Sequence, residues 1–304
     1  MIRYLTHNEI DKSKWDSSLE SCYNPLIYAR SAYLDAVCDE WDALVMNDYD
    51  AMMPLPVRKK YGVYYVYQPF FCQQLGIFSK FLVSGFLVNK FLDALPDKFR
   101  YIDSQLNSAC SMDEYKNECI SERKNHELLL LPAYENHARS FSENTKRNIG
   151  KALKNELFFC RETDAAPLVD FYIAQNGSKS PEVKPGDYNR FKDLLKKPIG
   201  REWQFVRVHN KQNETLAAGI FAGYAERLTY LMGASSEQGK ELGAMHALMN
   251  EVIKNAIDNY VVIDFEGSDI EGVARFYRGF GAVEVPYFHY KENRLPALVR
   301  LLKR

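Results

Sequence analysis

The sequence predicts an α+β fold, a mixed α/β sheet flanked by helices, in two successive domains. Three observations carry that prediction. At 304 residues the chain suits two domains of ~150 residues each. It is 46% hydrophobic and 26% charged, which supplies ample apolar material for globular cores. Its second half alternates the two periodicities, reading helix, strands, helix, strand, helix, strand.

In chain order, residues 2–5 read as an opening strand, and Asn8 as the cap of a helix running to 19. A second helix is predicted over 29–41, with Tyr33, Leu34, Val37 and Trp41 on one face. Strands follow at 43–46, 52–58 and 63–67, and Pro54 and Pro56 suit the middle one to an edge or a bulge. Residues 68–78, QPFFCQQLGIF, form an aromatic, amide-rich loop. Ser84 caps a helix to 95, and strands are expected at 99–106 and 127–131. The pattern breaks between Pro132 and Arg139, which divides the chain into expected domains 1–135 and 136–304.

Beyond that break, Ser142 caps a polar helix over 142–156, with Ile149 and Leu153 as its anchors. A strand at 157–161, a helix from Asp164 to 175, loop chemistry over 176–187 and a helix to 197 come next. Strands at 203–208, 216–223 and 228–232 make a meander. The segment ASSEQGKELG, 234–243, reads as a loop leading into a long helix. On that helix Met245, Leu248, Met249, Val252, Ile253 and Ala256 form a buried stripe. A strand at 261–266, a short helix at 270–280, a strand at 283–290 and a terminal helix at 295–302 complete the chain. The terminal helix is expected to pack on the first domain.

Composition narrows the function. A net charge of −1 excludes a global basic footprint, so DNA is not an expected partner and any anion site must be a local patch. Six cysteines show no C-x-x-C and no zinc spacing, six histidines form no metal-spaced pair, and no metal is expected. The N-terminal MIRYLTHNEIDKSKW has no apolar h-region, and the longest aliphatic run is 128–131. A cytoplasmic location without a membrane span is therefore expected. Neither a G-x-S-x-G elbow nor a Walker loop is present.

A strand, a glycine-bearing loop and a helix can aim backbone N–H groups at an anion, and Gly239 and Gly243 allow close approach. The same glycines would equally close a turn. His246 stands in the first turn of the long helix, as a base, a phosphate donor or a cap-region polar residue. Asp264 and Glu266 lie two apart on a strand, so both share a face and suit general-base work, unless Asp264 ion-pairs a neighbouring element. Tyr277 carries a phenol whose ordinary pKa of about 10 keeps it protonated, able to protonate a leaving thiolate or simply to pack. Arg147, Lys151 and Lys154 share a helix face, with Lys146 beside them, as a solvated stripe or a phosphate contact.

From 235 to 290 the order is glycine loop, long helix, strand, short helix ending Y-x-x-x-G at Tyr277 to Gly281, and strand. It resembles the cofactor half of the GNAT acyl-CoA N-acyltransferase superfamily. There a Q/R-x-x-G-x-G/A loop holds a pyrophosphate, and a tyrosine at the Y-x-x-x-G position often acts as general acid. More narrowly, DFEGSDIEGVARFYRGFGA (264–282) and FSENTKRNIGKALKN (141–155) resemble the Fem-type (FemABX) branch, with two GNAT-like domains in tandem.

That resemblance implies an N-acyltransferase moving an acyl group from an acyl-CoA-type thioester to a small-molecule or peptide amine. Residues 1–135 would form the acceptor side and 136–304 the donor side. The donor would lie against Gln238, Gly239, Lys240, Leu242, Gly243 and Ala244, with an oxyanion N–H near Leu231 to Gly233. Asp264 or Glu266 would assist amine deprotonation, and Tyr277 would be the acid. Lys146, Arg147 and Lys151 would meet phosphates. Lys240 stands where the motif has Gln or Arg, and Met245 where it has a small residue. Two alternatives follow: an aminoacyl-tRNA-dependent transferase of Fem type, and a catalytically degenerate GNAT-like binding protein.

Overall fold

A computed structural model describes residues 1–112, 118–267 and 269–296. The chain divides into two units, 1–123 together with the segment from Pro286 onward, and 124–285. The expected break at 135/136 stands beside a division at 123/124.

Unit 1 opens with β1 (Ile2–Leu5), α1 (Lys12–Glu20), α2 (Ser31–Val37), β2 (Glu40–Met46), β3 (Ala51–Lys60), β4 (Val63–Val66), β5 (Phe78–Ser79), α3 (Gly85–Asp93) and β6 (Phe99–Leu106). The helix expected from Asn8 begins later, because the carboxylate of Asp11 rather than Asn8 accepts the Lys14 N–H and caps α1. Trp41 lies in β2, not in a helix. Ser84 caps α3 as expected, accepting from Leu87 N–H.

β1, β2, β3 and β4 pair antiparallel in that order, and β4 pairs parallel with β6. Pro54 and Pro56 sit in a strand with neighbours on both flanks, contrary to an edge position. The second flank is split, with β5 facing Ala51 and Met52 and β4 facing Val57 to Lys60. The prolines therefore fall where that side has no ladder to interrupt.

Unit 2 contains most of β7 (Ile120–Leu129), then α4 (Tyr134–Ser140), α5 (Glu143–Lys154), β8 (Phe158–Glu162), α6 (Ala166–Asn176), α7 (Pro185–Leu194), β9 (Glu202–His209), β10 (Thr215–Tyr224), β11 (Arg227–Ser235), α8 (Glu237–Leu242), α9 (Ala244–Ala256), β12 (Val262–Gly267) and α10 (Glu271–Arg278). Its sheet order is β7-β12-β11-β10-β9-β8, parallel only between β11 and β12. Both units are thus mixed sheets with flanking helices. The stripe on α9 is buried as its spacing predicts at Leu248, Met249, Val252, Ile253 and Ala256, and it packs with Phe221, Leu228 and Ile263. On α5 the buried residues are Thr145 and Ala152, whereas Leu153 is exposed and anchors nothing.

β13 (Val283–Asn293) returns the chain to unit 1, where Phe288 to Asn293 pair antiparallel with β6. His289 Nε2 stands 2.8 Å from Asp103 Oδ1 across that ladder. The terminal helix expected at 295–302 falls almost wholly outside the described residues. Among the described residues, no helix is long and apolar enough to cross a membrane.

Candidate active site

Parallel pairing of β11 with β12 runs only from Arg227↔Val262 to Thr229↔Asp264. Past that point the strands part, and each carries an irregularity. On β11, Ile220 faces Met232 while Phe221 faces Tyr230, so Leu231 is the extra residue of a bulge against β10. On β12 the register slips between Asp264 and Gly267, with Glu266 in the left-handed region at φ 62°. A glutamate held there costs on the order of 1–3 kcal/mol, and such strain gathers at functional sites.

A cavity of about 460 Å³ opens at this parting, wholly within unit 2. Tyr230 to Gly233 of β11 and Phe265 to Gly267 of β12 line it, with Tyr172 of α6, Met245 and His246 of α9, and Val273, Phe276 and Tyr277 of α10. Tyr277 and Glu266 are therefore brought together, as the sequence suggested. Tyr277 is buried and stacks on Phe265 at 4.8 Å between ring centroids. Burial first, then the charges of Glu266 and Asp264, push its pKa well above the ordinary tyrosine value. The phenol is a proton donor at any physiological pH.

Asp264 and Glu266 do not share a face, because the bulge breaks the alternation on which that expectation rests. Asp264 is 1% exposed and is not among the residues lining the cavity. Arg227 Nη1 donates to Asp264 Oδ2 at 2.9 Å and to Glu127 Oε1 at 2.7 Å, and Asn125 Nδ2 donates to Asp264 Oδ1 at 3.0 Å. Asp264 Oδ1 also accepts the Glu266 N–H at 2.9 Å. The aspartate thus ties down the strained backbone that presents Glu266, and burial in this cluster raises the pKa of Glu127.

The expected glycine loop is largely a helix. Ser236 caps α8 by accepting the Gly239 N–H at 3.0 Å, and α8 fills 237–242. A Cβ on Gly239 would lie 2.0 Å from the Leu216 carbonyl oxygen. Gly243, at φ +75°, joins α8 to α9, and a Cβ there would lie 2.4 Å from the Asn148 carbonyl oxygen on α5. Both glycines close tight packing. Gly243→Val is accordingly expected to destabilise the fold by about 2–3 kcal/mol in urea unfolding. Lost donor binding in that variant would report on folding, not on a donor contact.

Of the expected donor contacts, Leu231, Gly233, Gly239, Lys240 and Gly243 line the cavity. Gln238 is exposed, while Leu242 and Ala244 pack into the core. Lys240 pairs with Glu237. The cations of α5 stay outside the cavity. Lys146 pairs with Glu143 at 3.1 Å, Arg147 Nη2 donates to Asn144 Oδ1 at 2.7 Å, and Lys151 is exposed. The described residues hold no group of three or more His, Cys, Asp or Glu placed for a metal.

Sequence reasoning missed Tyr172 and Tyr230. Tyr172 comes from a helix about a hundred residues upstream of Tyr277, and no local pattern marks it. Tyr230 reads as a strand aromatic, but Gly233 makes room for its hydroxyl, which lies where a Cβ on Gly233 would be, at 1.7 Å. His246 lies edge-on to Phe276 at 4.8 Å, and burial lowers its pKa to about 4, so it is neutral at physiological pH.

No protein-family model matches the sequence, and no curated protein does. Solved structures match over essentially the full chain. FemX is 13% identical, with 99% of this chain and 100% of that chain covered at a TM-score of 0.68. A tandem GNAT protein from the clavulanic acid biosynthesis pathway is 10% identical, with 98% and 100% covered at 0.57. L-PGS from Bacillus licheniformis is 12% identical, with 96% and 95% covered at 0.55. At such identities the likeness speaks for the fold, and the chain has the tandem GNAT fold, in a form similar to FemX.

Proposed function

We propose that the chain is an N-acyltransferase that passes an acyl group from an acyl-CoA-type thioester to an amine, using the cavity of unit 2. The observation that carries this reading is the meeting of a buried phenol, Tyr277, and a carboxylate, Glu266, where β11 and β12 part. In the reaction the amine nitrogen attacks the thioester carbonyl carbon. A C–N bond forms, the C–S bond breaks, and the Tyr277 hydroxyl gives its proton to the departing thiolate. The proton lost by the amine restores the phenol by way of Glu266. Main-chain N–H groups of Leu231 to Gly233 are the proposed donors to the carbonyl oxygen. Asp264 is a positioning residue here, holding the Glu266 backbone.

One observation favours a second donor. Gly239 and Gly243 are committed to packing, and α8 fills the segment expected to be an open phosphate loop. An aminoacyl ester of tRNA, gripped elsewhere through its backbone phosphates, would not need that loop. Thermal unfolding with acyl-CoA thioesters separates the two readings. A thioester at 100 times its dissociation constant is expected to add about 2.7 kcal/mol of stability. Absence of any shift, together with salt-sensitive retention of charged tRNA on a filter, would replace the thioester with the tRNA ester. Absence of both would leave the degenerate binding protein.

A further inference from the structure

The helix that carries Tyr277 is packed against two histidines from two other elements. His126 of β7 lies 5.8 Å from the Tyr277 ring, centroid to centroid, at 52°. His246 of α9 lies 4.8 Å from Phe276 and 5.9 Å from Phe280, at and just past the end of α10. His126 is wholly buried, and neither of its ring nitrogens has a hydrogen-bond partner among the described residues. Its strand neighbours serve the opposite face of the sheet, where Asn125 bonds Asp264 and Glu127 bonds Arg227. The charges around His126 are already matched. Lys124 of its own strand holds Glu284 of β13 at 3.2 Å, and Arg278 holds Glu271 on α10. An imidazolium there would bring two N–H donors and a charge to a dry place whose nearby carboxylates are engaged. His246 shares its cavity with the charged residues Lys240 and Glu266, and Glu237 holds Lys240.

We infer that His126 and His246 are positioning residues for Tyr277, which hold α10 in place only while both imidazoles are neutral, so that protonation of either one releases the helix. The effect on catalysis rests on Tyr277 being the acid of the acyl-transfer reading; the release of α10 does not. Burial lowers the pKa of both rings, that of His246 to about 4. Around His126, Glu284 and Glu271 oppose the shift, while Arg278 and Lys124 add to it. An opened helix exposes both rings to water, where an imidazole titrates near pH 6.5. The open form therefore takes up protons first. The packed form has its full advantage above about pH 6.5 and loses it as pH falls. An imidazole that stays neutral when packed shifts the opening equilibrium by at most about 30-fold between pH 7.5 and pH 5.0. A phenylalanine in either place would keep the ring contact and shed the dependence on pH.

The test is amide hydrogen exchange on the whole chain, read by NMR without turnover. Protection of the α10 amides, corrected for intrinsic exchange at each pH, is expected to fall at least tenfold between pH 7.5 and pH 5.0, about 30-fold for each imidazole being the ceiling. Amides of β9 should change by less than twofold over the same range. In the double variant His126→Phe, His246→Phe the α10 response should shrink to less than threefold, with each single variant between the two. A double variant that responds as the parent does would overturn the assignment. So would β9 amides that lose protection as far as α10 does, because acid would then be unfolding unit 2 as a whole. The parent chain supplies a second readout that needs no variant, the ring C–H signals of the two histidines. Neither is expected to titrate above pH 6 while the Tyr277 signals keep their positions. A midpoint at or above pH 6.5 for His126 with Tyr277 undisturbed would show that the packed helix accommodates the proton, and the inference would fall. A pH-dependent α10 in a chain without acyl-transfer activity would strike the functional reading and leave the release of the helix standing. Activity with a pH-independent α10 would do the reverse.

Discussion

Tyr277→Phe is expected to lower kcat by at least 100-fold while leaving the dissociation constant of the donor within about twofold. The substitution removes one oxygen and keeps the ring that stacks on Phe265, so the fold should be nearly unchanged. A general acid acts only when the leaving atom needs its proton, and its loss therefore appears in kcat and in kcat/KM together. The pH profile supplies the second readout. Because burial and Glu266 raise the Tyr277 pKa, the phenol keeps its proton past pH ~10, where a free tyrosine would be half ionised. No alkaline limb below that pH should belong to it. Unchanged turnover in the phenylalanine variant would remove Tyr277 from the chemistry.

Arg227→Met is expected to destabilise unit 2 by about 3 kcal/mol, because it strands two carboxylates that a single guanidinium now serves. Burial opposes the charge of Arg227, yet Asp264 and Glu127 outweigh that and raise its pKa, so the cation is permanent. Without it, the two carboxylates face each other in a poorly solvated place, and Glu127, whose pKa burial already raises, loses the cation that holds it down and rises further above its unfolded value. Groups shifted in that direction contribute stability below their unfolded pKa and lose it as pH rises through the folded value. The deficit should be largest near neutrality and shrink as pH falls toward about 4. Urea unfolding at several pH values measures it, and a deficit independent of pH would count against the account. Activity should suffer as well, since Asp264 also fixes the backbone of Glu266.

Much of the fold is legible because period and capping agree. The α9 stripe, the Ser84 and Ser142 caps and the β9–β11 meander all follow from local pattern. Errors fall where local chemistry has two readings. Ser236 followed by Glu237 is a helix start, but the glycines at 239 and 243 make the segment look like a loop. The shared face of Asp264 and Glu266 fails at a bulge that a residue count cannot foresee. Within the site, Tyr277 was accessible through its spacing from Gly281. Tyr172 was not, because only the packing of α6 on β10 and β11 brings it there.

The return of β13 to unit 1 sets an order of events for this chain. Asp103 and His289, neighbours in one ladder, are 186 residues apart in sequence. Closing so long a loop of disordered chain is entropically unfavourable and slow. The segment between them is mostly unit 2, in which β8 to β12 are neighbours in sequence order and can pair without β13, leaving β7 on β12 as its one distant pairing. Once unit 2 is ordered, the loop shortens to the distance between its ends, and β13 can find β6. On a ribosome, unit 1 must wait with β6 lacking its β13 partner until nearly all of the chain has emerged. Synthesis therefore exposes a strand edge of the first-made unit for longest, and a chain truncated before Pro286 should aggregate through unit 1, even though all of unit 2 is present.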